Sequence, residues 1–162
     1  MTQTVELAIK TLVLLALEGK SDPQSPRQIA DRFDCSVSYL AKVLRTLVGA
    51  GILRSVRGAH GGVLLIRGAG EISLLSVVEA CQGILVGDFC QDQGGDESLN
   101  CSYHQAMNEL QRLTVETLSK WTIEDLLSCP ARVSTSDGVG DPCRMSFEGC
   151  EKYVCSRKGT TA

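Results

Sequence analysis

Eight cysteines and two histidines are the residues of this 162-residue chain best suited to chemistry at a metal or a redox couple. The cysteines are Cys35, Cys81, Cys90, Cys101, Cys129, Cys143, Cys150 and Cys155, and the histidines are His60 and His104. Their spacing excludes the simplest sites. No two cysteines are separated by two residues, so neither a zinc ribbon nor a thioredoxin-like pair is present. The last four are separated by thirteen, six and four residues. That pattern leaves open a second metal, a ligand for a site elsewhere, disulfides, or inert thiols. Cys35 and Cys81 fall on or between helical stretches and are expected to be small core residues. No nucleophile-base motif accompanies the thiols, and Gly61 and Gly62 are not followed by a Lys-Ser/Thr pair that opens a helix, which excludes a phosphate loop. An enzyme or an iron-sulfur carrier is therefore disfavoured.

A second chemistry is the binding of a polyanion. Residues 1 to 70 hold nine Lys/Arg against five Asp/Glu, while residues 71 to 162 hold seven against fourteen, so a chain of net charge -3 is divided into a half of +4 and a half of -7. Within the basic half, Ser38, Tyr39, Lys42 and Arg45 recur on one side of a helical stretch whose other side is Val37, Leu40, Leu44 and Leu47. Arg54, Arg57, His60 and Arg67 surround a glycine-rich turn between two apolar runs, 52–56 and 63–66. A helix that presents hydroxyl and basic groups can enter a major groove. The glycines at the turn let the backbone approach a sugar-phosphate chain while arginines bond phosphates or enter a minor groove.

These groups must be held by a mainly helical frame. With 43% hydrophobic and only 4% aromatic residues, the core has to be built from Leu, Val, Ile and Ala. Helical spacing predicts a first helix over 5–17 that is buried on most sides. Ser25, Pro26 and Gln28 form a capping box for a short second helix that ends near Phe33. Ser36 caps the third helix, which Gly49 and Gly51 stop. Two helices joined by Asp34, Cys35 and Ser36, followed by a two-stranded hairpin, make a helix-turn-helix with a wing. A further helix begins after Ser73. Residues 83 to 100 form a polar loop with four glycines, four acids and Cys90. A long helix over 102–121 carries Met107, Leu110, Leu113 and Leu118 and is too extended for one small core to cover, so it is expected to pair with a second copy. Thr122 with Asp125 caps a last short helix.

The longest apolar run, Leu12 to Leu17, is six residues, against the roughly 18 needed to span a bilayer. Glu6 stands where a secretory leader carries basic charge. The expectation is a cytoplasmic chain without a membrane segment.

The run from Ser36 to Leu65, above all Ser38-Tyr39-Leu40, Gly51-Ile52-Leu53-Arg54-Ser55-Val56-Arg57-Gly58 and the Gly61-Gly62 pair, resembles the winged-helix iron-sulfur transcription regulators of the IscR and NsrR type. The resemblance extends by order of elements over residues 1 to 128. One departure is Val63, where those proteins usually carry an aromatic residue, and looser packing of the wing is the expected consequence. The resemblance implies a homodimeric regulator that binds a double-stranded DNA operator, with a cluster-binding loop before the long helix. It implies division into a winged helix-turn-helix domain (1–82), a cluster loop (83–101), a dimerisation helix with a short final helix (102–128) and a Cys-rich tail (129–162). DNA contacts then fall to Ser38, Tyr39, Lys42, Arg45, Arg54, Arg57 and His60.

By the same resemblance Cys90 and Cys101 are cluster ligands, with His104 one turn after Cys101 and Glu6 from the first helix completing the set. The middle cysteine frequent in such proteins is missing, and Asp96 stands near its place. Two thiolates with a nitrogen and an oxygen suit a 2Fe-2S cluster better than a 4Fe-4S one. The rival readings remain a cluster-free regulator that uses thiol-disulfide switching or a protein partner, with His104 only capping or solvating the long helix, Glu6 a first-turn carboxylate favoured by the helix dipole and Cys90 an idle loop thiol.

Overall fold

The computed structural model describes residues 2–19, 23–58, 61–85 and 102–128. Its first helix, α1 (Gln3–Glu18), is the element most surrounded by others, as its apolar content requires: Val5, Leu7, Ala8, Ile9 and Leu12 to Leu15 are all buried. Thr11 is buried among them. Its hydroxyl donates to the Leu7 carbonyl at 2.8 Å, so the polar atom does not go unpaired.

Helix α2 (Pro26–Arg32) begins with the expected capping box. The Gln28 amide donates to Ser25 Oγ at 3.2 Å, and the Ser25 amide donates to Gln28 Oε1 at 3.1 Å. The turn to α3 (Val37–Gly49) passes through Asp34 at φ 46, a left-handed conformation that Asp tolerates better than most residues. Ser36 then caps α3 by accepting from the Tyr39 amide at 3.2 Å. The core stripe of α3 is Leu40, Val43, Leu44 and Leu47. Val37, expected in that stripe, is 44% exposed. Side chains of a first turn lean toward the helix N-terminus, which carries Val37 past the edge of the packed layer.

Helix α3 ends in a Schellman motif. The Ile52 amide donates to the Leu47 carbonyl, the Gly51 amide donates to the Val48 carbonyl, and Gly51 takes the required positive φ of 68. The chain is thereby turned directly into a hairpin of β1 (Leu53–Val56) and β2 (Gly62–Leu65), antiparallel, with Leu53 opposite Leu65, Arg54 opposite Leu64 and Ser55 opposite Val63. Gln24, just before α2, exchanges two backbone hydrogen bonds with Val63 and so ties the hairpin to the helix-turn-helix. The backbones meet closely here: a Cβ on Gly62 would lie 2.3 Å from the Gln24 carbonyl oxygen. Val63 is 5% exposed. The wing is packed at the position where looser packing was expected, because the Val63 side chain is buried in the core while its backbone N–H and C=O both bond Gln24.

A 3-10 turn at Ala69–Glu71 leads to α4 (Leu74–Gln82), capped by Ser73. Helices α5 (Ser102–Lys120) and α6 (Ile123–Ser128) follow. Their junction is fastened to the start of α4, with the Leu74 amide donating to the Trp121 carbonyl at 2.8 Å and the Ile123 amide to the Ile72 carbonyl at 3.0 Å. Thr122 and Asp125 form the expected box at the head of α6. Contacts of α1 with α3, α4, α6 and β2 gather all these elements around one core. Helix α5 differs from the rest. It packs on α4, yet none of its residues is buried, and Tyr103, Leu110 and Leu113 are 62%, 56% and 46% exposed. Among the described residues no helix is long and apolar enough to cross a membrane.

Candidate nucleic-acid interface

The Ser36 cap and the Schellman turn fix the two ends of α3, and between them the residues at i, i+4 and i+7 from Ser38 share the face away from the core. Ser38, Lys42 and Arg45 are exposed on that face. Tyr39 stands at its inner margin, half-buried, with its hydroxyl 3.0 Å from Thr4 Oγ1 of α1. At the hairpin, Arg54 and Arg57 are exposed, on the strand that leaves α3 and just after it. His60 lies outside the described residues.

Among the described residues the ion pairs are Lys10 with Glu6, Arg32 with Glu18, and Glu116 with Arg112 and Lys120. None of them takes up Lys42, Arg45, Arg54 or Arg57. The reason is visible in the chain: from Cys35 to Gly70 there is not one Asp or Glu. A run of that length without acid, covering α3 and the hairpin, gives a surface of one sign that attracts a polyanion and leaves its cations available to it.

Two features of this surface escape pattern reading. Arg27 is exposed in the first turn of α2, the helix that in this arrangement crosses the sugar-phosphate backbone, and the capping box around it was the available signal. The glycines at the hairpin tip have an internal reason beside the external one. A Cβ on Gly61 would sit 2.5 Å from the Val56 carbonyl oxygen, and Gly62 is pressed on Gln24, so close packing inside the domain already demands both residues. Gly58, at φ 121 and bonded through its carbonyl to the Gly61 amide at 2.9 Å, shapes the tip itself.

Of the candidate metal ligands, Cys90 and Cys101 lie outside the described residues, as do Asp96, Cys129, Cys143, Cys150 and Cys155. His104 is half-buried in the first turn of α5. Glu6, in the first turn of α1, bonds Lys10 Nζ at 2.8 Å. Among the described residues no group of three or more His, Cys, Asp or Glu could by itself hold a metal ion, so a site that uses His104 or Glu6 would need ligands from beyond the described residues. The set fits an iron-sulfur cluster in donor chemistry: thiolates are the usual ligands and imidazole an accepted replacement. Cys35 and Cys81 are free thiols, half-buried against the core as expected, and burial pushes both thiols up, with the Asp34 carboxylate adding to the effect at Cys35.

Comparison with known proteins agrees with this geometry. The profile of the Rrf2 family, described as an iron-dependent transcriptional regulator, matches residues 1–128. The HTH-type transcriptional regulator IscR of Cronobacter sakazakii is 28% identical over 138 residues, which is 85% of either chain. Among solved structures, IscR of T. potens superposes with a TM-score of 0.65 at 24% identity, over 85% of this chain and 93% of its own. CymR of B. subtilis, the global cysteine regulator of that organism, superposes with a TM-score of 0.64 at 22% identity, over 78% of this chain and 94% of its own. The similar proteins are transcriptional regulators rather than enzymes.

Proposed function

This chain belongs to the Rrf2 family of transcriptional regulators, and from that premise we propose that it is a cytoplasmic homodimer whose DNA affinity is set by an iron-sulfur cluster, 2Fe-2S in preference to 4Fe-4S. It is a DNA-binding regulator of transcription. The observation that carries the DNA reading is the set of exposed cations on α3 and the hairpin with no carboxylate partner among the described residues. In this reading α3 lies in the major groove, where Ser38 faces base edges, Tyr39 stands beside it at the inner margin of that face, and Lys42 and Arg45 bond phosphates. Arg54, Arg57 and His60 at the wing reach the neighbouring backbone or minor groove.

Cys90, Cys101, His104 and Glu6 would hold the cluster, and Glu6 can come from either protomer. When bound, the cluster supplies a group whose charge and ligation change with redox state, nitric oxide or iron-sulfur supply. The chain's own residues turn such a change into altered affinity. His104 stands at the start of α5, and α5 packs on α4, which in turn packs on α1 and α3. A shift of that stack changes the separation of two α3 helices against operator half-sites of fixed spacing. In the dimer the exposed Leu110 and Leu113 of α5 face the partner's α5.

The likeness to CymR favours one other reading, a regulator that responds to thiol chemistry or a protein partner without a cluster. Absorption spectra with iron and sulfide analysis of anaerobically purified protein decide between the two. A coloured protein with matching iron and sulfide that bleaches in Cys90→Ala and Cys101→Ala, and is shifted or weakened in His104→Ala and Glu6→Ala, supports the proposal. A colourless protein with full operator affinity overturns the cluster. Colour that survives at Cys90 and Cys101 but is lost on replacing Cys143, Cys150 or Cys155 moves the site to the tail.

A further inference from the structure

Tyr39 occupies the margin between the face of α3 that meets solvent and the face that meets the core. Its ring packs against the core, and its hydroxyl is 3.0 Å from Thr4 Oγ1, a contact between residues 35 positions apart. Thr4 is well placed to act as a fixed point. Its neighbour Val5 is fully buried, and Thr2, the N-cap of α1, makes no capping bond with its side chain but accepts from Gln82 Nε2 at 2.9 Å instead. The head of α1 is thus held to the end of α4 and bonded to Tyr39 in the first turn of α3. Lys42 lies one turn along from Ser38, and Tyr39 lies between them in sequence, so a tilt of α3 about its N-terminal turn moves the groove-facing residues together.

We propose that Tyr39 and Thr4 form a positioning pair: the hydrogen bond between their hydroxyls sets the inclination of α3 on α1, and with it the fit of Ser38, Lys42 and Arg45 to the operator, and the Tyr39 hydroxyl does not itself read bases. The inference refines the role of Tyr39 within the DNA-binding reading and rests on it. A tilted α3 retains its charges, so non-specific attraction persists, while contacts that need base edges and phosphates in fixed register are lost. The pair therefore governs specificity more than affinity for DNA at large.

The test uses the full chain and a duplex that the wild-type protein selects from a random-sequence pool, with an unrelated duplex as the non-specific reference. Tyr39→Phe and Thr4→Val each remove one hydroxyl. Each is expected to weaken binding to the selected duplex about three- to tenfold, the range set by the net value of one hydrogen bond, with binding to the unrelated duplex unchanged. The double variant should lose no more than either single one, and Thr4→Ser, which restores a hydroxyl, should recover wild-type affinity. Loss of folded protein would lower both affinities equally, and that outcome overturns the positioning role. Thr4→Val with wild-type binding overturns it as well, whether or not Tyr39→Phe binds weakly, because the phenol would then act without Thr4. A wild-type protein that selects no duplex overturns the DNA contacts proposed for α3, and this inference with them, and so is distinguishable from failure of the pair alone.

Discussion

Lys42, Arg45 and Arg57 are chemically ordinary side chains made significant by what is not near them. With no carboxylate partner among the described residues, each is free to replace a condensed counterion on a duplex. Replacing any one by Ala should reduce the magnitude of the slope of log affinity against log salt by about 0.9, as read in a fluorescence-anisotropy titration series. Wild-type binding indifferent to salt, or retained without all three, would remove these residues from the interface. The two described thiols behave in the opposite way. Burial raises the pKa of Cys35 and of Cys81, which lowers the thiolate fraction at a given pH, so iodoacetamide at pH 8 should modify both more slowly than in the urea-unfolded chain. The sign carries over to stability. A folded-state pKa above the unfolded value of about 8.5 gives a contribution that is complete below that pH and is lost as pH rises through the folded-state value. Thermal stability should therefore fall on the alkaline side, and peptide mapping that finds Cys35 and Cys81 the fastest thiols of the folded protein would contradict the burial seen here.

Among the elements, the hairpin has one contact with no room to spare. Its strands are short, four residues each, and besides the direct passage from α3 and the buried Leu53, Val63 and Leu65, it is tied to the segment before α2 by the paired bond between Gln24 and Val63. Gly62 is where that attachment has no room. Gly62→Ala places a Cβ against the Gln24 backbone, which cannot rotate away, so the two segments must part at a cost of about 1–3 kcal/mol. A lower Tm, with weaker binding to the selected duplex as the wing shifts, is the expected result. Gly49→Ala serves as the comparison. At the last residue of α3 its φ is not positive and nothing lies within 4 Å of the added carbon, so it should be neutral or stabilise by up to about 1 kcal/mol. Equal losses in the two variants would mean that the wing is not anchored through Gln24.

For the molecule as a whole, assembly turns on α5. Nineteen residues of helix extend about 28 Å, and a helix that long with no buried residue but with Leu110 and Leu113 about half exposed is poorly explained by one chain alone. A charged group at the centre of a paired face has to be buried without a partner, so under the proposed pairing the wild-type chain sediments as a dimer and Leu110→Glu as a monomer, while the far-ultraviolet spectrum stays helical. If the proposed dimer forms through α5, a chain ending at Pro130 should keep it along with the operator affinity. The expectation rests on composition: residues 131 to 142 include Gly138, Gly140 and Pro142 with several Ser, Thr and Asp and few apolar side chains. Dissociation of that shortened chain would show that the tail helps to hold the dimer.

What could be read from the chain and what could not divide along the sequence separation of the interactions. The boxes at Ser25 with Gln28 and at Thr122 with Asp125, the caps at Ser36 and Ser73, and the glycine stop at Gly51 all join residues within five positions, where helix geometry alone decides which atoms meet. Hence the winged helix-turn-helix and its basic face were legible. The tertiary structure decided the rest: that Val37 is exposed and Val43 buried, that the wing is tied to Gln24, that the head of α6 is fastened to Ile72, and that the Tyr39 hydroxyl belongs to Thr4 rather than facing outward. Each of these depends on two segments brought together by burial of α1, a force without direction that fixes which faces go inside but carries no local mark of which polar atoms will then be neighbours.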